Sequence, residues 1–494
     1  MNILFATSEV HPIIKTGGLA DVSGGLPNAY AELGHDVRLV LPGYQVVWEK
    51  LNDVHIVVEF DLYVSGRHHP VVIKQARCTG LNVLLWVVDI PDLYDRPGNP
   101  YLDDNGGDWW DNGERFGLFS RIVAELAMDV HGIGWRADLV QANDWQTGLV
   151  PAYLGEYSDS RPATIFTIHN MAYQGNFPHS LYQFLELPWH WWRSEGGLEF
   201  HGQMSMLKAG IEMADWVTTV SPTYAEEITR PEFAYGLEGV LARRKDQGRL
   251  VGVLNGIEAS VWNPAKDPLI AKNYSAEQDC ASGKAENKQA LLNFFGLHES
   301  EIDLDLPVVG LVGRLVWQKG IDLVLDLIPS LVEQTNVQFV ILGSGDRVHH
   351  ESLQQLAIRY PKRVLVHLGY SERLAHLVEA GSDMFLMPSR FEPCGLNQIY
   401  SLLYGTPPIV HCTGGLADTV VNATEENLAS GAATGFVFYD PSHHALESTV
   451  KHALYLYGRK SSWQKLQKQG MQQAFGWTES AHRYLALVTE PEEV

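Results

Sequence analysis

The sequence predicts an α/β protein of two doubly wound units, and three observations lead there. Short, β-branched apolar runs alternate with helical intervals in two separate arrays, the pattern of parallel strands joined by crossover helices. The hexapeptide Thr-Gly-Gly-Leu-Ala-Asp occurs twice, at 16–21 and 413–418, each time before an apolar helical start. Between the arrays lie Asn255-Gly256-Ile257, Trp262-Asn263-Pro264 and a polar stretch, where the hinge is expected. The boundaries that follow are 1–255, 256–470 and a closing segment 471–494. In that segment Trp477, Tyr484 and Leu487 have helical spacing and are expected to pack back on the first unit.

In the first array, Asn2 to Thr7 reads as a buried strand, followed by the glycine loop and a helix from Gly25 to Leu33. Further strands are predicted at Val37–Leu41, Val83–Val88, Leu139–Ala142, Thr164–Ile168 and Trp216–Val220. The segment from Asp92 to Asn112, rich in Gly, Pro, Asp and aromatics, reads as a long surface loop. The second array begins near Val308 with a buried strand ending in Gly313-Arg314. Val337–Leu342 is stopped by Gly343-Ser344-Gly345-Asp346, and Val364–Leu368, Met384–Met387 and Ile409–Val410 continue the alternation. Doubly wound sheets bind ligands outside the carboxyl ends of their strands, so two such units are expected to face a central cleft.

A formal net charge of -23 over 494 residues disfavours nucleic acid, which is bound by clustered Lys and Arg. A small phosphorylated substrate stays open: one lysine about 4 Å from a phosphate is worth about 4 kcal/mol at an effective dielectric of about 20. Cys78, Cys280, Cys394 and Cys412 are scattered, without metal-ligand or disulfide spacing, so neither a disulfide framework nor a zinc site is indicated and a reducing compartment is the simpler reading. The opening residues lack a basic n-region and no run is long enough to span a membrane, so a soluble cytoplasmic protein is expected.

Several strand ends carry candidate chemistry. In Lys15-Thr16-Gly17-Gly18, glycines let backbone N–H groups approach an anion at a helix start, although a plain strand-to-helix turn fits equally well. The P-loop ending and the full dinucleotide spacing are both missing, so a simple NAD site is poorly supported. Arg314 and Lys319 flank Val316-Trp317-Gln318, placed to hold a pyrophosphate and stabilise charge as it leaves. Glu392, in Ser389-Arg390-Phe391-Glu392-Pro393-Cys394-Gly395-Leu396-Asn397-Gln398, suits sugar hydroxyls or developing positive charge at an anomeric carbon. It also reads as a helix-start carboxylate worth only about 0.3–1 kcal/mol. His169-Asn170 closes one predicted strand and Asn143-Asp144-Trp145-Gln146 another, where an acid beside an indole suits carbohydrate and a buried turn is the competing reading.

Together these pieces resemble bacterial glycogen synthases and plant starch synthases, close to end to end. The resemblance rests on Glu9 in Thr-Ser-Glu-Val, Lys15 to Val22, Asn143-Asp144-Trp145, His169-Asn170 with Ala172-Tyr173-Gln174-Gly175, and Ser221-Pro222-Thr223-Tyr224. It continues through Gly313-Arg314 to Lys319-Gly320, Glu392 to Leu396 and Thr413 to Thr419. It implies two Rossmann-like domains of the GT-B glycosyltransferase architecture, acceptor side first and nucleotide-sugar side second. The implied reaction adds glucose from ADP-glucose to the nonreducing end of an α-1,4-glucan, glycogen or a maltooligosaccharide, with retained anomeric configuration and neither metal nor cofactor. A related enzyme using UDP-glucose or another acceptor, and a non-catalytic glucan-binding protein, are the alternatives.

By the same resemblance, His169, Arg314, Lys319 and Glu392 form the catalytic set. Arg314 and Lys319 hold the diphosphate, while His169 and Glu392 address the transferred glucose. Lys15, Gly17, Gly18, Asp21, Asn255, Tyr370, Cys394, Gly395 and Leu396 fall on the donor side, Tyr370 as the adenine-stacking residue. Glu9, Tyr94, Asp144, Trp145 and Asn170 fall toward the acceptor. The chain departs from the family pattern at Tyr400, where relatives often carry a second Glu, at His411-Cys412, where basic residues are common, and at Asn397, where Thr is frequent. A two-glutamate mechanism is therefore not carried over.

Overall fold

The first apolar run becomes the middle of a nine-stranded sheet, because Ile3, Leu4, Phe5 and Ala6 are all fully buried and only an interior parallel strand covers both faces. The computed structural model describes residues 1–157 and 160–489. The chain divides into two compact units, one formed by residues 1–256 with the helix Trp477–Thr489, the other by residues 257–476.

In the first unit the strands are β1 (Asn2–Ala6), β2 (Asp36–Pro42), β3 (Asn52–Val64), β4 (Arg67–Arg77), β5 (Leu84–Asp89), β6 (Leu139–Asn143) and β7 (Ala163–Ile168). They continue as β8 (Asn176–Pro178), β9 (Glu199–Phe200), β10 (Gln203–Ser205), β11 (Trp216–Thr219) and β12 (Leu250–Gly252). The large sheet runs β12-β11-β7-β6-β1-β2-β5-β4-β3, parallel from β12 through β5. β4 alone runs against it, antiparallel to both β5 and β3. This edge hairpin turns at Ser65-Gly66, both with positive φ (46° and 76°), which suits the right-handed twist of paired strands. β8, β10 and β9 form a separate three-stranded antiparallel sheet.

The first helix spans Gly18–Glu32, starting about two turns earlier than the sequence predicts. Gly24 and Gly25 look like helix breakers in the sequence, but here they serve close packing. A Cβ at Gly24 would lie 2.7 Å from the His11 carbonyl oxygen, and one at Gly25 only 2.0 Å from Trp477 Nε1. The helix Trp477–Thr489 thus seats its first indole on the glycine face of the first helix, and Ser480 Oγ ties it to the Leu254 carbonyl at 2.6 Å.

The second unit is a six-stranded, wholly parallel sheet of order β15-β14-β13-β16-β17-β18. Its strands are β13 (Val308–Leu315), β14 (Gln338–Gly345), β15 (Val364–Leu368), β16 (Met384–Met387), β17 (Pro408–His411) and β18 (Phe436–Phe438). Alternate side chains feed two cores. Val309, Leu311, Phe339, Ile341, Met384, Leu386 and Ile409 enter one, packed by the helix Ile321–Gln334. Val308, Val340, Leu342, Phe385, Met387 and Val410 enter the other. Each fully buried side chain of this size contributes about 1.5–3 kcal/mol. None of the four cysteines forms a disulfide, and among the described residues no helix is long and apolar enough to cross a membrane.

Candidate functional site

In each sheet the strand order reverses once beside a central strand, and Glu9, Asp144 and His169 in the first unit and Arg314 and Glu392 in the second follow or end strands at or next to those points. The first reversal lies between β1 and β6, the second between β13 and β16. Helices leave to opposite faces at such points and open a crevice above the strand ends.

In the first unit, β1 leads to Glu9, which is buried and acts as a clamp. Its Oε2 accepts the Thr16 amide at 2.5 Å and the Gly17 amide at 3.2 Å; its Oε1 accepts the hydroxyls of Thr16 at 2.6 Å and Tyr101 at 2.7 Å. Two amides of the glycine loop are thus held by the protein's own carboxylate, and the helix starts at the next residue, Gly18. A Cβ at Gly17 or Gly18 would touch nothing within 4 Å, so the loop's surface is open. Lys15 pairs with Asp21 at 2.7 Å and is 49% exposed, a geometry that contributes little to stability and leaves the ammonium available to an anion.

The ends of β6 and β7 are cross-linked. Asn143 Nδ2 donates to the Ala6 carbonyl at 2.9 Å, which orients its Oδ1 toward His169 Nε2, also at 2.9 Å, so that ring nitrogen carries the proton. Asp144 sits at φ 56° and accepts the His169 amide at 2.7 Å. Burial pushes the His169 imidazole down to about 3 and the Asp144 carboxyl up to about 7, although hydrogen bonds from the His169 and Asn170 backbone oppose the second shift. His169 is therefore neutral near pH 7. Asn170 Oδ1 accepts the Ala172 amide at 3.0 Å.

Tyr94 and Trp145 are set into the unit. The Tyr94 hydroxyl donates to the Arg115 carbonyl at 2.8 Å, and Trp145 packs edge-on against Phe116 and beneath Gly175, where a Cβ would lie 2.5 Å from the indole. Both rings are buried. Asn255 is buried too, and its Oδ1 has no hydrogen-bond partner among the described residues.

In the second unit, Lys319 and Glu392 form an ion pair, and Ser389 Oγ donates to the same Glu392 oxygen at 3.0 Å. Arg314 is exposed at the end of β13 and donates to Gln318 Oε1 at 3.2 Å, while Gln318 Nε2 holds the Phe391 carbonyl at 3.1 Å. Arg390 adds a two-pronged ion pair to Asp322, both bonds 2.7 Å, and lies over the Trp317 ring. Asn397 Nδ2 ties the start of the helix Asn397–Leu403 to the Val312 carbonyl at 2.7 Å. Tyr370 stands 84% exposed beyond β15, beside Gly369 at φ 134°.

The second hexapeptide is packed directly on the Glu392 loop. The Gly415 amide reaches the Glu392 and Pro393 carbonyls, each at 3.2 Å. A Cβ at Gly414 would lie 1.9 Å from the Glu392 oxygen, and one at Gly415 2.0 Å from the Cys394 oxygen. Gly395, at φ 70°, lets the loop pass over Gln398, whose amide nitrogen donates to the Cys394 and Gly395 carbonyls, both at 3.0 Å. Leu396 immediately precedes the helix and packs with Ile257, Ile399 and Tyr400. Tyr400 stacks on Trp262 at 3.8 Å, and His376 covers the other indole face at 3.8 Å, so the aromatic at position 400 is a packing residue.

Sequence reasoning assigned no part to Tyr101, Gln318 or Ser389. Tyr101 lies in the Asp92–Asn112 loop, and its hydroxyl joins Ser8 Oγ at 2.7 Å to the Glu9 clamp. Only its place in a long aromatic-rich loop hinted at this. Among the described residues no group of three or more His, Cys, Asp or Glu side chains is arranged to hold a metal ion.

Comparison with known proteins bears on the family and the fold. Residues 2–243 match the family described as starch synthase catalytic domain, and residues 297–470 match glycosyl transferases group 1. The chain is 62% identical to a glycogen synthase of Hydrogenovibrio crunogenus over 99% of each chain. It is 50% identical to glycogen synthase 2 of Nitrosococcus oceani over 98% of this chain and 96% of that one. Among solved structures, the catalytic domain of starch synthase IV from Arabidopsis thaliana bound to ADP and acarbose superposes with a TM-score of 0.85, at 31% identity over 98% of both chains. The chain belongs to the glycogen and starch synthase family and has the GT-B glycosyltransferase fold.

Proposed function

We propose that the protein transfers glucose from ADP-glucose to the nonreducing end of an α-1,4-glucan, with retention at the anomeric carbon. The observation that carries this reading is the Lys319–Glu392–Ser389 cluster at the β13/β16 reversal, with Arg314 exposed beside it. It joins two cations suited to a diphosphate with a carboxylate suited to a sugar. The starch synthase that resembles the chain over its whole length is bound to ADP and acarbose, a nucleoside diphosphate and a saccharide.

In the reaction, Arg314 and Lys319 stabilise the negative charge that builds on the departing ADP. Drawing Lys319 toward the diphosphate loosens its pair with Glu392, whose carboxylate then serves the glucosyl group as positive charge develops at its anomeric carbon. Tyr370 offers its exposed ring to the adenine. Lys15 and the glycine loop address the donor's phosphate or glucose, and the neutral His169 offers the glucose a hydrogen-bonding group without a competing charge. Trp145, Asp144, Asn170 and Glu9 serve the acceptor side.

The test is side-by-side incubation of purified protein with labelled ADP-glucose and UDP-glucose, glycogen as acceptor and no added metal. Incorporation from ADP-glucose, with the new linkage in the α configuration by NMR, is the expected result. No incorporation from either donor overturns the reading, a UDP preference overturns the donor, and a β linkage overturns retention.

A further inference from the structure

The loop that carries Glu392 is gripped from behind by His411. His411 ends β17 and is buried, and its Nδ1 lies 2.9 Å from the Ser389 carbonyl oxygen. A carbonyl only accepts, so Nδ1 carries the proton. Burial lowers the imidazole's pKa, outweighing the backbone groups of Ser389, Tyr439 and Arg390 and the charge of Asp440. Ser389 is itself buried, with its carbonyl on His411 and its hydroxyl on Glu392 Oε2 at 3.0 Å. One residue therefore relays position from the end of β17 to the carboxylate.

We propose that His411 is a positioning residue for Glu392: by fixing the Ser389 carbonyl it sets the Ser389 hydroxyl, and with it the Glu392 carboxylate, an inference that rests on the glucosyl-transfer reading above. Gly415 secures the same loop further on, through the Glu392 and Pro393 carbonyls, so the loop is tied before Glu392 to the end of β17 and at Glu392 and Pro393 to the segment that follows it. Losing the His411 bond leaves a buried carbonyl unpaired, which drives the loop to shift. Small displacements of a reacting group are expensive in rate, about a hundredfold for 1 Å.

The test compares His411→Leu, which removes the donor, with His411→Asn, which keeps a short N–H donor. Readouts are kcat and donor KM for transfer from ADP-glucose to glycogen, and ADP binding by calorimetry. His411→Leu is expected to lower kcat about tenfold to a hundredfold. Its donor KM and ADP affinity stay within about threefold of the wild type, and His411→Asn recovers most of the rate. Wild-type kcat in His411→Leu overturns the proposal, as does an equal loss of rate and ADP binding. Should His411→Leu fail to fold, Ser389→Ala cuts the link to Glu392 with the backbone intact and must show the same selective loss of kcat; an unchanged rate there overturns the relay. A wild-type protein inactive with both ADP-glucose and UDP-glucose removes the transfer reading and the relay with it. An active wild type with an indifferent His411→Leu removes the relay alone.

Discussion

The backbone amide of His169 donates to the Asp144 carboxylate at 2.7 Å while its ring donates to Asn143 Oδ1 at 2.9 Å, so one turn after β6 grips this histidine at both ends. Both ionisable partners are shifted by burial, in opposite directions, and the consequences for stability can be separated.

The His169 imidazole is lowered from 6.5 to about 3, so its contribution to stability is complete above pH 6.5 and is lost as the pH falls toward 3. The Asp144 carboxyl is raised from 3.8 to about 7, so its contribution is complete below 3.8 and is lost as the pH rises through 7. Between 3.8 and 6.5 the two slopes oppose each other. In urea titrations His169→Gln is expected to decline less than the wild type as the pH falls below 6.5, and Asp144→Asn to decline less as it rises toward 7. Parallel pH profiles for all three proteins would remove this account.

Replacing Lys319 by Ala strips the cation from a Glu392 carboxylate that is only 7% exposed. Because the lysine itself reaches solvent, the stability loss is expected to be about 1–2 kcal/mol, below the range for fully buried pairs. On the proposed reaction the loss of rate is larger, about a hundredfold to a thousandfold in kcat, since that reading gives the lysine's charge to the leaving group. Steady-state kinetics beside thermal unfolding distinguishes the two, and a rate loss no larger than the stability loss predicts would count against a donor role.

The two hexapeptides should respond differently to the same change. Gly17→Ala meets open space and is expected to stay within about 0.5 kcal/mol of wild-type stability while weakening donor binding. Gly415→Ala drives a methyl to 2.0 Å from the Cys394 carbonyl oxygen and is expected to cost about 1–3 kcal/mol or more. Chemical denaturation of the two variants decides it; equal stabilities would contradict the packing described.

Tyr101→Phe deletes one of the bonds to Glu9 without changing the ring's volume. A stability loss of about 0.5–1.5 kcal/mol is expected. Donor KM should rise more than kcat falls, because the clamp shapes the loop to which the proposed function gives the donor. Unaltered KM with unaltered stability would show that the hydroxyl pair is idle.

Much of this fold was legible in the sequence for a physical reason. Strands such as β13 and β14 are buried on both faces, so their apolar runs are continuous and bounded by glycine. β3 and β4 were missed because an antiparallel edge hairpin leaves many of its residues exposed, mixing charge with apolar residues. β12 and β18, three residues each, leave too short a trace. The Gly24-Gly25 pair misplaced the helix start because close packing and helix breaking call for the same residue. Local motifs pointed to Lys319 and Glu392, whereas the bonds that hold the site are distant in sequence. Tyr101 meets Glu9 across 92 positions and His411 meets Ser389 across 22, and neither separation has a periodicity to reveal it.

The helix Trp477–Thr489 belongs to the unit that opens the chain, and Gly25 has no side chain so that Trp477 can seat there. During synthesis this reverses the usual order of domain completion. A ribosome that has passed residue 476 has delivered every residue of the second unit, while the first still lacks its closing helix. The nascent chain therefore carries an unfinished first unit through most of translation, and an mRNA cut just before the Trp477 codon would yield a finished second unit beside a first whose glycine seat stays vacant.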